Sequence, residues 1–418
     1  MYIRRHIESQ ILKVEAGFKS CLVTGARQTG KSTTLKHLHG DRTYISFDDP
    51  VILEETRREP GLFFRNNTPP IILDEVQKIS ELFPYIKILC DNLSDNGFID
   101  LTGSQQYQLM KNISESLAGR IGILEMQPLS LRELRDDDFN KPFIPDESYI
   151  TERKRSYTPE NNVWKRIFMG GYPELAVSGK DWQLFYSSYV QTYLNRDLNE
   201  MLNVKDKLKF SRFLTVLAST TGQMLNYSNI ADKVEISVAT VKEWISVLEA
   251  GGLVFILQPF SNSALTRAIK TPKLYFKDTG LVCYLTRYQT PESAMNGAIS
   301  GQLFETYIVS EIMKSFSNAG LDYRIYLSYY RGKDKIRRKE GSEIQPKESE
   351  IDLLIESGDM IYPVEIKMSA NPKLSMSNAF DVIDLIPGKK RGIGTIVCMY
   401  QKCMWLSENV IVLPFEYI

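Results

Sequence analysis

The sequence predicts an α/β protein in three parts: a parallel-sheet domain over residues 1–160, a helical middle, and a C-terminal α/β domain over 270–418. Three observations predict it. Five short apolar runs alternate with helical patterns in the first third. A compact helical stretch then stops at a double glycine and turns into a further apolar run. The last part sets one helix against several strands that carry acids at fixed positions. With 418 residues the chain exceeds what one hydrophobic core usually holds, so two or three domains are expected.

Composition narrows the function. Lysine plus arginine number 51 and so do aspartate plus glutamate, so the chain as a whole is no polyanion binder and any nucleic-acid surface must be a local patch. Five scattered cysteines form no CxxC pair, which suits a reducing compartment. The three histidines, His6, His37 and His39, fall in the first forty residues, so a histidine-rich zinc site is excluded and a metal would sit on carboxylates and phosphates. No signal segment and no run of ~18 apolar residues is visible, so a cytoplasmic protein without a membrane partner is expected.

In the first domain the strands are read at Cys21–Val23, Tyr44–Phe47, Ile71–Leu73, Phe98–Leu101 and Ile121–Leu124. Between the first strand and its helix lies Gly25-Ala26-Arg27-Gln28-Thr29-Gly30-Lys31-Ser32-Thr33, which fits the P-loop pattern. Glycines at Gly25 and Gly30 let the backbone turn and bring its N–H groups against phosphate oxygens, and the helix N-terminus adds positive charge. Lys31 can reach the β- and γ-phosphates and Ser32 can ligate Mg²⁺. Arg27 holds a variable position of the loop and has no separate role. A second motif agrees: Ile71-Ile72-Leu73-Asp74-Glu75 is an apolar strand ending in two carboxylates, with Asp74 the candidate for Mg²⁺ and Glu75 for orienting or deprotonating the attacking water.

Together these residues resemble the AAA+ class of ATPases, which implies ATP and Mg²⁺ as cofactors. The resemblance gives Ser104, after the strand Leu101-Thr102-Gly103, the place of a γ-phosphate sensor, with a helix cap as the equal alternative. It gives Arg120 the place of an arginine near the γ-phosphate, in cis or from a neighbouring subunit, with an ordinary surface arginine as the alternative. Such relatives often form rings, so an oligomer is compatible with the sequence.

Asp136-Asp137-Asp138 and Lys141 to Pro159 are polar and read as a linker or insertion. Helical patterns resume over 161–207, with Gly170-Gly171-Tyr172-Pro173-Glu174 and Tyr193-Leu194-Asn195-Arg196-Asp197-Leu198 standing out. With the P-loop half, these motifs resemble a prokaryotic family that joins an AAA-type ATPase domain to a C-terminal DUF4143 domain, and the resemblance runs over nearly the whole chain. Residues 208–269 read as a winged helix: a short helix around Ser228–Val234, a second over Val238–Ala250 capped by Ser237, a stop at Gly251-Gly252 and a wing strand at Leu253–Leu257. The second helix balances Lys242 with Glu243 and Glu249, so groove binding and a spacer role stay open.

In the C-terminal part, Gly301 to Ile312 reads as an amphipathic helix carrying Glu305, with Phe304, Ile308, Val309 and Ile312 on its apolar side. Glu350-Ile351-Asp352-Leu353-Leu354-Ile355 opens a strand with acids, and in Val364-Glu365-Ile366-Lys367 the alternation puts Glu365 and Lys367 on one face. This order resembles the restriction-endonuclease-like fold. The resemblance implies that Asp352 and Glu365 hold one or two Mg²⁺, that Lys367 positions water or neutralises charge, and that Glu305 is a further ligand or anchors the metal shell. The basic stretch Arg331 to Lys347 reads as a long loop that could steer DNA, or as a solvated loop. The leading expectation is an ATPase (an NTP hydrolase) coupled to DNA binding or Mg²⁺-dependent DNA cleavage. The alternative is an ATP-switched DNA- or protein-binding regulator with an inactive nuclease-like domain, as in defence systems.

Overall fold

A computed structural model describes residues 2–104, 117–160, 162–192, 206–261, 271–334 and 347–418. The first domain is a five-stranded parallel sheet of β1 (Ser20–Thr24), β2 (Thr43–Ser46), β3 (Ile71–Asp74), β4 (Ile99–Gly103) and β5 (Ile121–Glu125), in the order β2-β3-β4-β1-β5. The strands are short and almost wholly apolar because helices cover both faces of the sheet. β4 lies between β1 and β3, so the loops after all three open on one edge.

The polar stretch after residue 135 is no free linker. It contains the helix Glu147–Ser156, which buries Tyr149, Ile150 and Arg153. Tyr149 donates to the carbonyl of Tyr417 at 2.7 Å and Arg153 to that of Glu416 at 2.9 Å, so this helix docks on the last residues of the C-terminal domain. Its apolar positions are few, which is why composition alone reads as linker.

The middle holds the helices Lys207–Ser219, Tyr227–Val234 and Val238–Ala250 and an antiparallel sheet of β6 (Gln223–Met224), β7 (Val254–Leu257) and β8 (Lys273–Phe276), in the order β6-β8-β7. Asn226 rather than Ser228 caps the second helix, and Ser237 caps the third. The expected boundary at 270 is displaced, because β8 pairs with β7 and β6 and so belongs to the middle sheet.

The C-terminal sheet contains β9 (Leu327–Asp334), β10 (Lys347–Ser357), β11 (Met360–Lys367), β12 (Lys390–Arg391), β13 (Gly394–Cys398), β14 (Met404–Ser407) and β15 (Val410–Pro414), in the order β14-β15-β13-β11-β10-β9 with β12 beside β11. β9 and β10 extend into the stretch expected as a loop, and its centre, including Lys335, Arg337, Arg338 and Lys339, lies outside the described residues. The helix Ser300–Asn318 is not a one-faced surface helix. From Leu303 onward it is buried nearly all round, and its polar residues bond to other parts of the molecule. Ser310 donates to the carbonyl of Lys277 at 2.8 Å, Glu311 accepts from the Leu131 amide at 2.7 Å, and Lys314 donates to the carbonyl of Leu129 at 3.1 Å. Among the described residues no helix is long and apolar enough to cross a membrane.

Candidate functional site

The P-loop occupies the carboxyl edge of β1. Gly25 has φ 142° and Gly30 φ 96°. A Cβ on Gly25 would lie 2.2 Å from the carbonyl oxygen of Met126, so only glycine fits. Lys31 is buried and folds back on the loop, donating to the carbonyls of Gly25 at 3.1 Å and Ala26 at 2.8 Å. Burial pulls its ammonium down to about 8, against the opposing pull of Glu75 and Asp74. Thr29 Oγ1 closes the turn on the Ala26 carbonyl at 2.9 Å.

Asp74 ends β3 and is met by four hydroxyls, the most distant being that of Ser46, which donates to Oδ2 at 3.4 Å. Ser32 and Thr102 donate to Oδ1, and Tyr44 donates to Oδ2 at 2.7 Å. The direct contact of Ser32 with Asp74 brings together the two oxygen ligands that a Mg²⁺ of this site would take, so the residues fit the ion. Glu75 follows with φ 57°, its amide donating to Thr102 Oγ1 at 3.2 Å and its carboxylate accepting from Ser104 at 3.1 Å and from Gln77. Ser104 therefore stands beside Glu75 at the same edge, and the segment it would cap, from 105, lies outside the described residues. The cleft over the loop is lined by Arg27, Gln28, Gly30, Lys31, Ser32, Thr33 and Glu75, joined by Tyr189 and Thr192 from the middle.

Arg120 does not join this set. It precedes β5, whose first residue pairs with Ser20 at the amino end of β1, and its guanidinium forks onto Asp91 at 2.6 and 3.1 Å. β1 runs five residues, roughly 16 Å at the ordinary strand rise, so Arg120 faces away from the phosphate edge of its own chain.

Sequence reading missed Arg5. Its buried guanidinium donates to Glu133 at 3.0 Å and to the carbonyls of Thr29 and Gln127, both at 2.7 Å, strapping the P-loop to the segment after β5. The Gly170-Gly171 motif serves docking. Gly171 donates to Asp278 at 2.7 Å, while a Cβ on Gly170 would strike the Tyr186 hydroxyl at 2.3 Å. Arg196 and Asp197 lie outside the described residues.

The four C-terminal residues singled out by their pattern converge. Asp352 of β10 and Glu365 of β11 face each other. Lys367 donates to Asp352 Oδ2 at 3.2 Å and pairs with Glu365 Oε1 at 2.7 Å, and the Ile366 amide donates to Asp352 Oδ2 at 2.9 Å. Glu305 arrives from the long helix and accepts from the Tyr275 hydroxyl at 2.6 Å. Burial together with Asp352 pushes both Glu305 and Glu365 above the usual carboxylate range, although Lys273 and Lys367 oppose it. Glu365 Oε2 is buried without a hydrogen-bond partner. An unpartnered oxygen among crowded carboxylates fits a hard divalent cation. Lys273, Tyr275 and Glu350 belong to the cluster and were not foreseen.

Comparison with known proteins finds three family matches along the chain. Residues 17–135 match the AAA domain family, 160–292 a domain of unknown function (DUF8612), and 300–418 a domain of unknown function (DUF4143). An uncharacterized protein of Mycobacterium tuberculosis is 25% identical over 400 residues, covering 95% of this chain and 80% of its own. An uncharacterized protein of Methanocaldococcus jannaschii is 25% identical over 295 residues, covering 66% of this chain and 63% of its own. Among solved structures, the Walker-type ATPase of Pyrococcus abyssi aligns with a TM-score of 0.37 at 16% identity, over 68% of this chain and 96% of that one. The chain thus joins an AAA domain, over residues 17–135, to a C-terminal DUF4143 domain, over residues 300–418.

Proposed function

We propose that the protein binds and hydrolyses ATP with Mg²⁺ and couples this to Mg²⁺-dependent cleavage of DNA at the cluster of Glu305, Asp352, Glu365 and Lys367. The observation that carries the reading is the convergence of those four residues, from a helix and two strands, within ion-pairing reach of one another or of a shared partner.

At the first site Lys31 neutralises the β- and γ-phosphates, Ser32 and Asp74 hold the ion, and Glu75, aligned by Ser104 and Gln77, orients the attacking water. At the second site Asp352 and Glu365 hold the ion, which there supplies Lewis acidity to a phosphodiester. Lys367 keeps its proton because two carboxylates face it, so it is a fixed positive charge for the developing negative one.

The winged helix is read as a connector. The outward face of Val238–Ala250 carries Lys242 and Glu243 and so has no positive excess for a groove. β8 links the two sites: Lys273 and Tyr275 reach Glu305, and Lys277, just beyond the strand, pairs with Glu125 at the end of β5 beside the P-loop.

The test is conversion of supercoiled DNA by the full chain with Mg²⁺, with and without ATP. Cutting should disappear in Asp352→Ala/Lys367→Ala and change its ATP response in Lys31→Ala. No cutting by the native chain, with ATP turnover lost only in Lys31→Ala, would reduce the C-terminal cluster to a binding surface.

A further inference from the structure

Lys273 begins β8, in the middle sheet, yet its side chain ends inside the C-terminal carboxylate cluster. It is 3% exposed, and its Nζ lies 2.8 Å from Glu350 Oε1, 3.3 Å from Glu305 Oε1 and 4.0 Å from Asp352 Oδ1. An ammonium so deeply buried survives only where carboxylates surround it.

The cluster thus has two halves. On one, Lys273 fills the space among Glu305, Glu350 and Asp352. On the other, Asp352 and Glu365 share Lys367, and Glu365 keeps its buried unpartnered oxygen. Counted as fully ionised, four carboxylates face two ammonium groups, which leaves two negative charges that the charge of one divalent ion balances. Paired catalytic ions lie about 3.5–4 Å apart and bind oxygens at about 2.0–2.6 Å. A second ion between Glu305 and Glu350 could not enter without expelling Lys273.

We propose that Lys273 is a built-in cation of the C-terminal site, standing where a second metal ion would bind, so that the site takes a single Mg²⁺ or Mn²⁺ on its Asp352–Glu365 side. The inference rests on the reading of this cluster as a metal site. It also makes the site a product of two domains, since the cation comes from β8 and the carboxylates from the helix Ser300–Asn318, β10 and β11.

Mn²⁺ titration of the nucleotide-free full chain, followed by electron paramagnetic resonance, counts the ions. The ions of the C-terminal site are those lost in Asp352→Ala/Glu365→Ala. The expected number is one for the native chain and for Lys273→Arg, and two for Lys273→Met, with the spin-coupled signal of an adjacent Mn²⁺ pair. Two ions in the native chain would overturn the proposal while leaving the metal site itself standing, whatever the variants do. A folded Lys273→Met that still binds one ion would overturn it as well. No difference between the native chain and Asp352→Ala/Glu365→Ala would instead remove the metal site, and the proposal with it.

Discussion

Asp100 shows how one residue can make stability depend on pH. It is fully buried in β4, beneath the nucleotide edge, where Arg42 pairs with it and lies 3.6 Å from Glu15, while His39 approaches Glu15 at 2.7 Å. One guanidinium faces two buried carboxylates, and Asp100 Oδ1 has no hydrogen-bond partner. Burial first, and Glu15 second, push the Asp100 carboxyl above its ordinary range. A raised carboxyl keeps in the folded state a proton that the unfolded chain gives up near pH ~4. The folded state is then favoured most at the acid end of the window and loses stability as pH rises through the folded-state titration. Asp100→Asn removes the second charge while leaving Arg42 opposite Glu15. Chemical denaturation between about pH 5 and 9 should show a fall for the native chain that is flattened in the variant, by roughly 1.4 kcal/mol for each pH unit of displaced titration. An identical slope in both would mean that Arg42 already offsets the pair.

At the scale of elements, period and punctuation made much legible. Five apolar runs with intervening helices marked the parallel sheet, and the P-loop glycines stood where φ is positive. Strand alternation put Glu365 and Lys367 on one face, where they meet Asp352. Residues whose meaning lies in a distant partner left no such mark. Lys273 looks like any strand lysine until Glu305 and Glu350 surround it, and Arg5 looks like part of a basic N-terminus. Arg120 precedes β5 and so stands at the amino edge of the parallel sheet, which removes the role in cis and leaves the role from a neighbouring subunit or that of a surface arginine. Arg5 also shows what holds the loop element in place, since its three bonds join Thr29, Gln127 and Glu133. Arg5→Ala should cost about 3–5 kcal/mol, the usual result of stranding a buried partner charge. Arg5→Lys should recover only part, because an ammonium cannot reproduce the planar fork. Urea denaturation measures both, and a loss below ~1 kcal/mol for Arg5→Ala would show that the strap is dispensable.

At the scale of the whole molecule, the middle domain bears directly on the phosphate loop. The turn that ends the helix Val238–Ala250 puts Gly252 at φ +72°, with an added Cβ falling 2.9 Å from the Ala26 amide nitrogen. Ala26 belongs to the loop whose amides would cradle phosphate. Gly252→Ala should therefore do two things: strain a left-handed backbone, at about 1–2 kcal/mol, and push the P-loop away from its phosphate-binding shape. Gly358 separates them. It has φ +64° in the turn between β10 and β11, and a Cβ there meets nothing within 4 Å. Gly358→Ala carries the backbone strain alone. Both variants should lose thermal stability, Gly252→Ala the more, but only Gly252→Ala should weaken ATP, by about tenfold for each 1.4 kcal/mol of loop distortion. Calorimetric titration of ATP into the two variants and the native chain decides it. Equal ATP affinity in all three would mean that the contact at Ala26 is mere packing and that nucleotide is sensed elsewhere, with the Glu125–Lys277 pair beside β1 the next place to look.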